Sequence, residues 1–174
     1  PRIEFSDETA QLLETGGGVA WALPSLGENP FYVVNADVAW EDGSQSALMR
    51  LMRFWQDKTM DALLLLHPVN EAMGYDGAGD YCRAGDGVLT RRGDDLKAPF
   101  VFTGVQLLHP RLFENATVGP FSLTHLYEIA EGAGRLYGIV HDGAWNHIGT
   151  PAGFVEAEGW FRNFSTFDEE TCGG

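Results

Sequence analysis

Lysine is almost absent from this sequence: only Lys58 and Lys97 occur in 174 residues. Lys and Arg together number 11 against 25 Asp and Glu, a formal net charge of −14. So acidic a chain argues against a nucleic-acid backbone or an anionic membrane surface as partner. A phosphorylated ligand would need cations from a metal, from a few placed arginines, or from another piece of protein. Cysteine is scarce as well. Cys82 and Cys172 lie far apart, match no metal spacing, and read as two unpaired thiols in a reducing cytoplasm. No apolar run is longer than Ala62 to Leu66, which is too short for a membrane span. Neither a Walker loop nor G-x-G-x-x-G occurs. The chain opens at Pro1 without a methionine, and the expectation is a cleaved or truncated product.

What is present describes a globular α/β domain. Hydrophobic residues make up 44% and aromatics 12%, enough for a real core at this length. "RIEFSDE" suggests a short strand, and "LLETGGGVAWALPSL" a glycine turn followed by an apolar helix from about Val19 to Leu26. "FYVVNAD" reads as a buried strand, "SQSALMRLMRFWQDK" as an amphipathic helix behind a serine cap, and "DALLLLHPV" as another buried strand. That strand–helix alternation predicts a mostly parallel, doubly wound sheet. The second half is richer in β signals. "GAGDYCRAGDGVLTRRGDD" suggests a hairpin, "PFVFTGVQLLHPRLF" a strand running into a short helix at Pro110, and "FSLTHLYEIAEGAG" a helix capped by Ser122. "RLYGIVHDGAWNHIG" suggests two short strands paired with each other. A last helix starts at Thr150-Pro151. The expected division is one domain over 1–164 and an acidic tail over 165–174.

Three places could carry chemistry. The apolar run Phe31–Val34 stops at Asn35-Ala36-Asp37. Asp37 either begins a solvent-facing turn or sits at the carboxyl end of a central strand, where open α/β sheets bind ligands. "ETGGG", Glu14 to Gly18, is either a plain glycine turn or a loop that lets backbone approach a ligand closely. His147 in "WNHIGTP" is either a hydrogen-bonded structural histidine or a ligand. The remaining histidines, His67, His109, His125 and His141, each adjoin an apolar segment or turn and read as structural.

Taken in order, "LETGGG", "NPFYVVNAD", "FTGVQLLHPRLF" and "WNHIGTP" resemble the sugar-1-phosphate nucleotidyltransferases, and most closely the bacterial N-acetylmuramate-1-phosphate uridylyltransferase and mannose-1-phosphate guanylyltransferase-like group. The resemblance runs from Ile3 to Phe161. It implies the Rossmann-like, mostly parallel sheet of the nucleotide-diphospho-sugar transferases, with a small β-rich insertion. It also implies that a nucleoside monophosphate passes from a nucleoside triphosphate to a sugar 1-phosphate. Carried over residue by residue, Asp37 holds the catalytic Mg²⁺ (or Mn²⁺), Thr15, Gly16 and Gly17 lie against the nucleotide, and Asn35, Thr103 and Gly104 line the sugar pocket. Cell-wall precursor metabolism in the cytoplasm would be the setting.

Two departures stand out. His147 replaces the second aspartate of a W-x-D-x-G-T-P pattern, and imidazole suits Mn²⁺ better than Mg²⁺. The family's G-G-x-G-x-R-x-x-P-x-T loop and downstream Pro-Lys are nowhere in these residues. The expectation is therefore a fold without its first βαβ unit, completed by a second copy or a separate N-terminal fragment. Two functions stay open: a nucleotidyltransferase, and a non-catalytic domain that binds sugar phosphate or nucleotide.

Overall fold

The computed structural model describes residues 2–151, 153–155 and 157–160. Residues 2–8 carry no regular structure, so the expected first strand is not there. Helix α1 covers Glu14–Leu26, starting five residues earlier than its apolar pattern suggested and absorbing all three glycines. Strand β1 is Phe31–Val34, β2 is Val38–Trp40, and helix α2 is Ala47–Phe54. Strand β3, Ala62–Pro68, precedes a hairpin of β4, Tyr81–Arg83, and β5, Leu89–Arg91. Strand β6, Phe100–Leu108, runs into a 3₁₀ turn at Pro110–Phe113, as its sequence suggested. Helix α3 is Leu123–Gly132, and the Ser122 side chain accepts a hydrogen bond from the Thr124 N–H at its cap. Strands β7, Leu136–Val140, and β8, Trp145–His147, follow, then helical residues within 151–160. The acidic tail falls outside the described residues.

The sheet is mixed. Strand β3 lies between β6 and β7, antiparallel to the first and parallel to the second. Strands β1 and β4 both pair antiparallel with β6 along its other edge. Hence β1, β3, β4 and β7 share one direction, as the strand–helix rhythm implied, and β6 is the reversed strand between them. Nothing in β6's own residues announces that reversal. The expected pairing of the last two strands is corrected too: β7 pairs with β3, whereas β8 pairs with β2 in a separate two-stranded sheet. Reaching β2 lets β8 cross from the main sheet to the segment just after β1.

The apolar run in β3 is explained by burial on both faces. Leu64 and Leu66 point with Leu108, Leu126 and Tyr127 into the core under α1 and α3. Leu63 and Leu65 point with Val105, Leu107 and Ile139 into the core under α2. Each such leucine contributes about 2 kcal/mol by leaving water. The carboxyl ends of β1 and β3 open on the same side, with β8 laid across them.

Candidate functional site

The β2–β8 ladder does the first part of the assembly. It sets Val38 opposite His147, and the Ile148 N–H donates to the Asp37 carbonyl at 2.9 Å. The His147 Nε2 consequently stands 3.6 Å from Asp37 Oδ2, with the two side chains 36% and 54% exposed. A Cβ at Gly149 would lie 2.8 Å from that nitrogen and 3.3 Å from that oxygen, so glycine keeps the space between them clear. Behind them, Trp145 stacks on the His147 ring and donates through Nε1 to the Thr103 carbonyl at 3.0 Å. Strand β8 is thus fixed against the main sheet. Among the described residues no third His, Cys, Asp or Glu joins the pair to form a cluster.

Asn35, two residues before Asp37, borders a cavity of about 250 Å³. Thr15, Asn35, Tyr81, Arg91, Gln106 and Tyr127 are among the residues that line it. Asn35 reaches its mouth because β1 and β6 come very close: the Asn35 N–H donates to the Gly104 carbonyl at 2.9 Å. Gly104 has a φ of +82°, and a Cβ there would sit 3.0 Å from that of Asn35. Only glycine combines that backbone angle with that approach. Gly104 therefore shapes the site by what it lacks.

Other expected site residues are used differently. Thr103 lies on the opposite face of β6, fully buried, and its hydroxyl donates to the Leu65 carbonyl at 2.9 Å. Its side chain is thereby committed to the core and does not line the cavity. Gly16 and Gly17 are buried inside α1, and both of their N–H groups donate to the Phe121 carbonyl, at 2.8 and 3.1 Å. A Cβ on Gly16 would lie 2.3 Å from the Phe121 ring, and one on Gly17 2.5 Å from the Gly119 carbonyl. The glycines let the helix dock onto residues 119–121, which leaves those amides nothing to offer a nucleotide. Thr15 alone of that motif borders the cavity, with its hydroxyl accepting from the Leu123 N–H at 3.0 Å.

Two lining residues had no place in the sequence reading. The Tyr127 hydroxyl donates to the Gln106 Oε1, and both side chains are buried. Burial pushes the Tyr127 phenol far up, so it stays a donor at any working pH. The available signal was the lone Gln in the apolar strand "FVFTGVQLL", since a buried amide in a core strand needs a partner. At the rim, Arg91 pairs with Glu128, and its N–H donates to Glu131 at 3.0 Å. Three of the other histidines take structural positions: His67 and His141 are buried with ring centroids 5.9 Å apart, and His109 faces Asp57 at 3.4 Å, while His125 is exposed on α3.

No family model matches the chain. It is 36% identical over 158 residues to the N-acetylmuramate α-1-phosphate uridylyltransferase of Caulobacter vibrioides, a match that covers 91% of this chain. It is 30% identical over 162 residues to the enzyme of the same name from Neisseria meningitidis serogroup B, covering 90% of this chain. The chain spans 65% of the length of each of these curated relatives. Among solved structures, a UDP-glucose pyrophosphorylase complexed with UDP-glucose superposes with a TM-score of 0.68 at 17% identity, over 88% of this chain and 63% of the other. An inositol-1-phosphate CTP transferase from T. maritima superposes with a TM-score of 0.61 at 13% identity, over 81% of this chain and 58% of the other. At those identities the likeness is one of fold. Through its curated relatives and its shared fold, the chain is a homologue of the sugar-1-phosphate nucleotidyltransferases.

Proposed function

We propose that the full-length protein transfers a nucleoside monophosphate from a nucleoside triphosphate to a sugar 1-phosphate and releases pyrophosphate. The observation that carries this reading is an exposed carboxylate, Asp37, at the carboxyl edge of the sheet, two residues beyond Asn35, which lines a cavity of sugar size. The names of the curated relatives favour uridine as the nucleoside and N-acetylmuramate as the sugar. In such a transfer a phosphate oxygen of the sugar attacks the α-phosphorus in line. The bond to the bridging oxygen breaks, and its electron pair leaves with pyrophosphate. The protein's share is positioning and charge neutralisation.

Asp37 and His147 would hold a divalent cation in the space that Gly149 leaves free, with phosphate oxygens and water as the other donors. Bound there, the cation would offset charge on the phosphates. The carboxylate suits Mg²⁺ and the imidazole favours Mn²⁺. Asn35 and Thr15 would orient the sugar and the nucleotide at the two sides of the mouth. Among the described residues, strand β1 carries a partner on one edge only, and a second copy or a separate N-terminal fragment would pair along the other. Nucleoside triphosphate as substrate makes the cytoplasm the proposed compartment. No described helix is long and apolar enough to cross a membrane.

A second reading, binding without catalysis, is favoured by one feature. Among the described residues, Arg91 is the only cation that lines the cavity, and Glu128 already holds it. The test is pyrophosphate release by the full-length protein with UTP and N-acetylmuramate 1-phosphate, in Mn²⁺ and in Mg²⁺. Asp37→Ala should lower kcat/KM on the order of 10²–10³-fold, the scale of losing one preorganised charge-stabilising group. Tight binding of both substrates by the wild type without turnover would decide for the second reading.

A further inference from the structure

We propose that Gln106 is the residue by which the cavity recognises an N-acyl group on its sugar. The proposal rests on the sugar 1-phosphate reading of the site and adds the determinant that separates acylated from plain sugars. Gln106 is completely buried, yet it lines the cavity. Its Oε1 is occupied by the Tyr127 hydroxyl, and its Nε2 has no hydrogen-bond partner. An unpaired buried donor is costly, and native folds seldom keep one without a use.

The surroundings narrow down what would satisfy it. Phe102, Tyr81, Leu123 and Tyr127 form the apolar wall around the amide, with Phe102 and Tyr127 edge to face at 6.0 Å between ring centroids. A sugar hydroxyl bonded to Nε2 would bring a proton of its own that needs a further acceptor, while the Oε1 of Gln106 already accepts from Tyr127. A group that accepts without donating fits better: a carbonyl or carboxylate oxygen. Burying a carboxylate there would need a cation. Arg91, the cavity's only candidate, is half-exposed at the rim and paired with Glu128. A neutral acyl carbonyl remains, with its methyl group against the aromatic wall. Tyr127 acts as the positioning residue, because its hydroxyl engages Oε1 and leaves Nε2 as the unpaired end of the amide.

The test compares N-acetylglucosamine 1-phosphate with glucose 1-phosphate, which has a hydroxyl in place of the acetamido group. Calorimetric affinities are measured on the full-length protein and on Gln106→Leu and Tyr127→Phe. The wild type should favour the acylated sugar by about tenfold, the scale of one uncharged hydrogen bond. Gln106→Leu should erase that preference. Tyr127→Phe should retain only part of the preference. In the wild type, which needs no variant to fold, the Gln106 side-chain amide resonance should move with the acylated sugar and stay still with the other. Equal weakening of both sugars in Gln106→Leu, or an amide resonance indifferent to the acylated sugar, would overturn the proposal. Failure of the wild type to bind either sugar phosphate would overturn the underlying functional reading, and this one with it.

Discussion

Asp61 and Asp37 stand at opposite ends of the same sheet, one just before β3 and the other just after β1. Asp61 is saturated. Arg111 Nε donates to its Oδ1 at 2.7 Å and Arg135 Nε to its Oδ2 at 2.8 Å, and its side chain is only 16% exposed. Burial alone would raise its pKa, but the two arginine hydrogen bonds outweigh burial and hold the carboxyl below its usual value. Asp37 has one neighbour of possible opposite charge, a histidine at 3.6 Å, and is more than half exposed. The same side chain is a clamp at one end and an open valence at the other. A carboxylate whose lone pairs are filled by the protein can hold structure together, and one with lone pairs to spare can hold a ligand.

The sharpest way to break that contrast is Asp61→Ala, the counterpart of the Asp37 experiment. It leaves two arginines without their shared acceptor at a partly buried site. The expected loss is about 2–3 kcal/mol, somewhat below that for a fully buried pair. Urea unfolding measures it, and activity per folded molecule should be unchanged. A variant as stable as the wild type would show that the clamp is ornamental.

Gly16→Ala asks whether the glycine motif belongs with the structural end or the ligand end. Its Cβ would lie 2.3 Å from the Phe121 ring and 2.8 Å from the Phe121 carbonyl oxygen. A stability loss of about 1–3 kcal/mol is expected from overpacking. Weakened nucleotide binding with unaltered stability would return the motif to the site.

The mildest effect is expected from His67, at the carboxyl end of β3 beneath the open site. Both ring nitrogens lack partners, and burial, with His141 adjacent, holds its pKa below 6.5. The unfolded chain therefore takes up the proton first as pH falls. Stability should be full above pH 6.5 and decline below it. His67→Gln should flatten that decline in thermal melts run from pH 7.5 to 5. An unchanged slope would assign the decline to other groups.

Much of this protein was legible residue by residue. Phe31–Val34 and Ala62–Pro68 are strands because each is an apolar run bounded by turn signals, but only the second is buried on both faces; in the first only Phe31 is buried and Val34 is exposed. Ser122 caps α3 because a hydroxyl one residue before a helix meets an orphan N–H two residues on. Asp37 could be picked out because a carboxylate ending a buried strand must find either water or a ligand. These are short-range facts, and a short window of sequence contains them.

The remainder depends on partners far along the chain. The glycines of "ETGGG" became helix because the Phe121 carbonyl, a hundred residues on, takes their N–H groups. Residue 106 met residue 127 by helix packing on the sheet, and residue 37 met residue 147 by strand pairing, and no local pattern encodes either. Strand β8 pairs with β2 and not with β7, whose one edge pairs with β3 and whose other edge meets Gly87 and Val88. Local sequence determined which segments would be strands and helices, since backbone preference and burial period act over a few residues. Only the tertiary structure decided which carboxylate was paired with arginines and which remained open, since the partners of a hydrogen-bonding group are brought to it by the fold.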